Sequence, residues 1–153
     1  VSSHALDKSV GEAFCASLRH RGPDDEGYYI SPDRTIVLAH TRLSILDLSS
    51  AGHQPMSNEA CGKCRQNSGP LWITYNGEIY NFQALRQELI GKGHRFSSQT
   101  DTEVLLHLYA EEKEALVDRL IGMFAFALLD QDRQRLAIGQ IQQGLDQPIG
   151  CCF

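Results

Sequence analysis

The stretch that most restricts the fold is Leu-Trp-Ile-Thr-Tyr-Asn-Gly-Glu-Ile-Tyr-Asn-Phe, residues 71–82. Its first half, 71–75, is β-branched and aromatic and reads as a buried strand. Asn76-Gly77 is the strongest short-range hairpin signal, because both residues tolerate positive φ. Ile79, Tyr80 and Phe82 then resume an apolar pattern and would clamp the turn from its far side. A turn held this way sets a side-chain amide (Asn76), a bare N–H (Gly77) and a carboxylate (Glu78) at one spot. Those are parts for gripping a polar ligand or a developing oxyanion. Taken alone, the dipeptide is better read as a plain hairpin turn, and only the rest of the chain changes that balance.

At 153 residues the chain is long enough for one domain with a proper core. The formal net charge of −5 argues against a nucleic-acid partner, which would want a basic face. No apolar run approaches the ~18 residues a membrane helix needs. Residues 1–10 lack a charged region followed by an apolar one, so no signal peptide is read there. Five cysteines cannot all pair within one chain. A cytoplasmic, reducing setting is the expectation.

In chain order, the spacing predicts a first helix over 9–20. Ser9 and Glu12 would form its capping box, with Val10, Ala13, Phe14 and Leu18 on one face and Cys15 as a small buried hydrophobe. Arg21, Gly22 and Pro23 with the acids Asp24, Asp25 and Glu26 make a solvated turn without Ca²⁺-loop spacing. Residues 28–30 and 35–39 read as an antiparallel hairpin turning at Pro32-Asp33. Arg42 lies in an otherwise apolar stretch. It needs either an internal acid or a ligand carboxylate, which its fork fits with two hydrogen bonds.

Residues 49–70 read as a long polar loop. Cys61 and Cys64 within it are spaced like half a zinc site or a redox pair, with His53 as a nearby histidine. No second pair follows at finger spacing, so a variable loop insertion is the plainer reading. Residues 81–91 read as a helix capped by Asn81, 95–98 as a short strand, and Thr100 with Glu103 as a capping box opening another helix. Asp101 falls in that helix's first turn, either compensating the helix dipole or aimed at a ligand ammonium. Residues 116–120 form a helical turn or two. A strand at 123–130 and its partner at 135–139 close the pattern, and 140–153 has no period. Antiparallel hairpins interrupted by helix groups, with no strand–helix–strand alternation, predict an α+β fold of two antiparallel sheets covered by helices.

Six segments go beyond pattern: HRGPDDEGYY (20–29), LAHTRLSILDLS (38–49), GHQPM (52–56), ITYNGEIYNF (73–82), GHRFSSQTDTEV (93–104) and LIGMFAFALLD (120–130). In this order the chain resembles the glutaminase domain of glutamine-hydrolysing asparagine synthetases, a class II glutamine amidotransferase. The resemblance spans about residues 18–139. It implies the N-terminal-nucleophile fold, a four-layer αββα sandwich, and L-glutamine as the ligand. It also implies a synthetase domain or subunit as partner, and a homodimer is compatible with it. Arg42 would bind the glutamine α-carboxylate, with the backbone of Leu43, Ser44, Ile45 and Leu46 lining the site. Asn76 and Gly77 would form the oxyanion hole, and Glu78 and Asp101 would hold the α-ammonium. No metal or cofactor is expected in this domain; ATP and Mg would belong to the synthetase domain.

The chain also departs from that pattern. The family's nucleophile is a cysteine at the mature N-terminus, followed by an apolar strand, and the sequence starts Val1-Ser2-Ser3-His4. The expectation is therefore a fold without its first strand, truncated at both ends and inactive as a glutaminase. The domain would occupy 1–139, with 140–153 foreign to it. The alternative is a catalytically dead module that binds glutamine or a partner chain.

Overall fold

The computed structural model describes residues 5–43 and 52–141. Two antiparallel sheets face each other. One pairs β1 (Asp25–Ile30) with β2 (Val37–Arg42), in register from Asp25↔Arg42 to Ile30↔Val37. The other has the order β3-β4-β5-β6, built from β3 (Met56–Ser57), β4 (Leu71–Ile79), β5 (Gly122–Asp130) and β6 (Arg135–Ile141). Helix α1 (Lys8–Leu18) packs on the two-stranded sheet. Helix α4 (Asp101–Glu112) packs on β4 from the opposite side, backed by α2 (Gly62–Ser68) and α3 (Phe82–Gly91). The layers run α, β, β, α, and β6 continues two residues past Gly139.

Period-two alternation explains the layering. On β4 the side chains of Leu71, Ile73, Tyr75 and Ile79 are buried in the core with Val104, Leu105 and Leu108 of α4. The alternate side chains face the other sheet. Trp72 stacks on Tyr29 with ring centroids 3.9 Å apart, and the Thr74 hydroxyl bonds His40 Nδ1 at 3.2 Å. Helix α4 is buried along 102–110, as a helix sandwiched between a sheet and two further helices must be.

Several expectations are corrected. Asn76-Gly77 is not a turn: β4 runs through it, with Asn76 opposite Ala125 and Gly77 opposite Phe124. Nine consecutive pairings with β5 outweigh the local turn preference. Helix α1 is capped by Asp7, whose side chain accepts from the Ser9 N–H, rather than by Ser9. Its buried row is Gly11 and Cys15; Phe14 and Leu18 are exposed, because the helix is turned about one position from the face the apolar spacing suggested. Residues 49–70 are not all loop but contain β3 and α2. Asn81 makes no side-chain cap on α3. Its amide instead donates to Arg119 O (2.8 Å) and accepts from the Ile121 N–H (3.0 Å). Residues 95–98 form no strand. The N–H groups of Ser97 and Ser98 go to the buried Glu103 carboxylate at 2.8 and 2.7 Å.

Candidate active site

The site is built along β4, beyond the point where its outer neighbour ends. β3 covers only Ile73 and Trp72, so the N–H groups that β4 turns to that edge need other acceptors. Asn58 Oδ1 takes the Leu71 N–H at 3.0 Å, Gln54 Oε1 takes Tyr75 at 2.6 Å, and Asp101 Oδ2 takes Ile79 at 3.1 Å. Strand alternation directs the Gly77 N–H to this same edge, between the last two. Gln54 also donates to Thr102 Oγ1 at 3.5 Å, and so ties the edge to α4. Its role was not legible in the sequence, since no motif links a loop glutamine to a strand N–H twenty-one residues on.

Gly77 has φ +142, and a Cβ there would stand 2.3 Å from Met123 O and 2.5 Å from Phe124 Cα. Only glycine lets β4 pass this close to β5 while leaving the neighbouring backbone exposed.

Asp101, the first residue of α4, brackets Gly77. Its Oδ2 accepts from the Tyr75 hydroxyl at 2.6 Å as well as from Ile79. Burial, then the adjoining Asp101 carboxylate, push the Tyr75 hydroxyl well above its usual range, so it stays protonated and donates. Asn76 and Glu78 alternate with Gly77 onto the face that looks toward β2, and all three are exposed.

Arg42 arrives from the facing sheet. Tyr29, paired with Leu38, stacks on Trp72, while Thr74 meets Ala39 O and His40. Contacts therefore advance together along β2 and β4. Arg42 is the last residue of β2, two positions past His40, and strand alternation puts the two on one face. Its guanidinium lies against Gly52, where a Cβ would stand 2.5 Å from Nη2. Burial holds the neighbouring His40 imidazole down at about 4; Asp25 opposes that shift, and Arg42 and His53 add to it.

The structure thus brings Asn76, Gly77, Glu78 and Asp101 to one end of β4, and sets Arg42 at the end of β2 against Gly52. Leu43 is exposed, and Ser44, Ile45 and Leu46 lie outside the described residues. The three described thiols are elsewhere. Cys15 Sγ faces the carbonyls of Gly27 and His40, and Cys61 and Cys64 pack with His94. His53 is not beside Cys61 but bonds Asp25 at 2.8 Å.

This α-β-β-α stack of two antiparallel sheets is the architecture of the N-terminal-nucleophile amidotransferases. The chain is similar in fold to glutamine phosphoribosylpyrophosphate amidotransferase from Bacillus subtilis, with a TM-score of 0.55 and 24% identity over 68% of this chain and 22% of that one. The chain belongs to the glutamine amidotransferase domain family, whose model matches residues 1–148. Its relatives include asparagine synthetase [glutamine-hydrolyzing] 3 of Bacillus subtilis, 37% identical over 91% of this chain and 21% of the relative. Asparagine synthetase B of Escherichia coli is 44% identical over 84% of this chain and 21% of the relative. Asparagine synthetase 3 of Arabidopsis thaliana is 49% identical over 74% and 17%. The chain spans about a fifth of the length of these curated relatives. Among the described residues, no helix is long and apolar enough to cross a membrane.

Proposed function

We propose that this domain binds L-glutamine at the end of β4 and, within a glutamine-hydrolysing asparagine synthetase, delivers its amide nitrogen as ammonia to a synthetase domain or subunit. One observation carries the reading. Asp101 is fixed at both sides of Gly77 by Tyr75 and Ile79, while Arg42 ends β2 on the facing sheet, two residues past the His40 that meets Thr74 of β4. A free α-amino acid has a carboxylate and an ammonium a few ångströms apart. A guanidinium on one wall and the carboxylates of Glu78 and Asp101 on the other suit those two ends. The side chain then lies along β4, where the Asn76 amide and the Gly77 N–H suit the oxyanion of a tetrahedral intermediate. Loss of one such donor typically costs about 10²–10³ in rate.

Hydrolysis also needs a nucleophile, and among the described residues the thiols of Cys15, Cys61 and Cys64 lie away from this place. Calorimetry with glutamine tests the binding half: saturable binding that Arg42→Ala abolishes is expected, and no binding to folded protein removes the reading. Glutamate release by the chain, abolished by Asn76→Ala, would assign a nucleophile other than these three thiols to the site.

A further inference from the structure

Away from this site, four buried side chains converge from three separate segments. Cys61 caps α2, its sulfur accepting from the Cys64 N–H at 3.4 Å, and Cys64 lies in the first turn of that helix. His94 follows α3, and His107 lies in the middle of α4. All four are at most 3% exposed, and one ligand atom from each lies within 4.8 Å of the other three. His94 Nδ1 is 3.3 Å from Cys64 Sγ and 3.8 Å from Cys61 Sγ.

The outer nitrogens are just as organised. His94 Nε2 meets Glu111 at 2.9 Å and His107 Nε2 meets Glu103 at 3.6 Å. Glu111 is held in turn by Asn67 at 2.8 Å and Glu103 by Ser97 and Ser98. Among the described residues His107 Nδ1 is buried without a hydrogen-bond partner.

We propose that Cys61, Cys64, His94 and His107 form a closed tetrahedral zinc site. Zn–S bonds of about 2.3 Å and Zn–N bonds of about 2.0–2.1 Å give tetrahedral edges of roughly 3.3–3.8 Å. The two sulfur–nitrogen separations at His94 fall in that range. Two thiolates neutralise the dication, and two imidazoles complete a ligand set suited to zinc. His94 offers Nδ1 to the two sulfurs and presents Nε2 to Glu111, and His107 presents Nε2 to Glu103 and keeps its buried Nδ1 for the ion, the arrangement that fixes the orientation of zinc-bound imidazoles. A purely packed cluster explains neither this pairing nor the unpartnered His107 nitrogen.

Four protein ligands leave no position open for water or substrate, so the ion is structural. It fastens the β3–β4 connection, through α2, to α4. Helix α4 carries Asp101 six residues before His107, so the ion sits under the element that presents a binding-site carboxylate.

The test is metal analysis of the purified chain, prepared without chelators, together with cobalt(II) titration of the chelator-stripped protein. One zinc per chain is expected. So are the ligand-field bands of tetrahedral cobalt and a thiolate-to-cobalt charge-transfer band that is weakened in Cys64→Ser and lost when Cys61 is replaced as well. Cys15→Ser should keep both signals. Glu111→Gln, which alters no ligand and keeps the side-chain volume, should weaken zinc affinity about 10–100-fold. A folded wild-type chain, checked by circular dichroism, that holds no zinc and gives no cobalt bands overturns the proposal. So does zinc retained undiminished by a Cys61→Ser, Cys64→Ser double variant.

Discussion

The Tyr75 hydroxyl donates to the Asp101 carboxylate at 2.6 Å, joining the buried face of β4 to the first turn of α4. This bond settles where the carboxylate points. A residue at a helix start would otherwise serve the helix dipole alone, yet here its Oδ2 is drawn onto the strand, between Tyr75 and the Ile79 N–H.

Tyr75→Phe should therefore uncouple strand and helix with little change in packing volume. The expected loss is about 1–2 kcal/mol in urea unfolding, the usual range for a hydrogen bond to a charged group offset by one fewer buried hydroxyl. Glutamine affinity should fall with it, because Asp101 keeps only the Ile79 N–H. If calorimetry shows unchanged affinity in the variant, Asp101 does not depend on Tyr75 for its position.

Gly77→Ala should be far worse than its single methyl suggests. The new Cβ meets backbone atoms of β5 at 2.3 and 2.5 Å, and φ at +142 is one that side-chain-bearing residues rarely adopt. Strain and overpacking together cost on the order of 3 kcal/mol. The matching Gly62→Ala, which would meet nothing within 4 Å, should stay near wild type. Equal urea midpoints for the two variants would refute the close passage of β4 past β5.

His40 predicts a pH dependence. Its imidazole is held at about 4 against 6.5 when unfolded, chiefly by burial between the sheets, with Asp25, Arg42 and His53 as the charged neighbours. Between those values the unfolded chain binds the proton and the folded one does not. The stabilisation is thus complete above pH 6.5 and is lost as pH falls toward 4, by on the order of 2–3 kcal/mol, since the ring keeps some solvent contact. Urea midpoints measured across that window should fall more steeply for wild type than for His40→Gln. Parallel curves would assign the acid sensitivity to other groups.

Much of this architecture was legible in the residues alone. Leu71, Ile73 and Tyr75 announce a buried strand by composition, Leu85 and Leu89 share a helix face, and Thr100 caps α4 as its hydroxyl implies. Family likeness marked Arg42, Asn76, Gly77, Glu78 and Asp101 as one group, and the fold ties Asp101 to β4 on both sides of Gly77. Local signals failed where a distant partner was stronger. Asn76-Gly77 turns in isolation but stays extended under nine pairings with β5, and Asn81 is drawn from its helix end to Arg119 and Ile121.

What the chain determines by itself is therefore whatever depends on near neighbours: strand and helix tendencies, caps, and which residue types are available for chemistry. What only the folded molecule decides is which of them meet. Gln54 reaches the Tyr75 N–H, and Cys61 and Cys64 find His94 and His107 instead of His53. Those encounters are fixed by how β4 and α4 pack, and no sequence spacing encodes the layer separation that brings them within bonding distance.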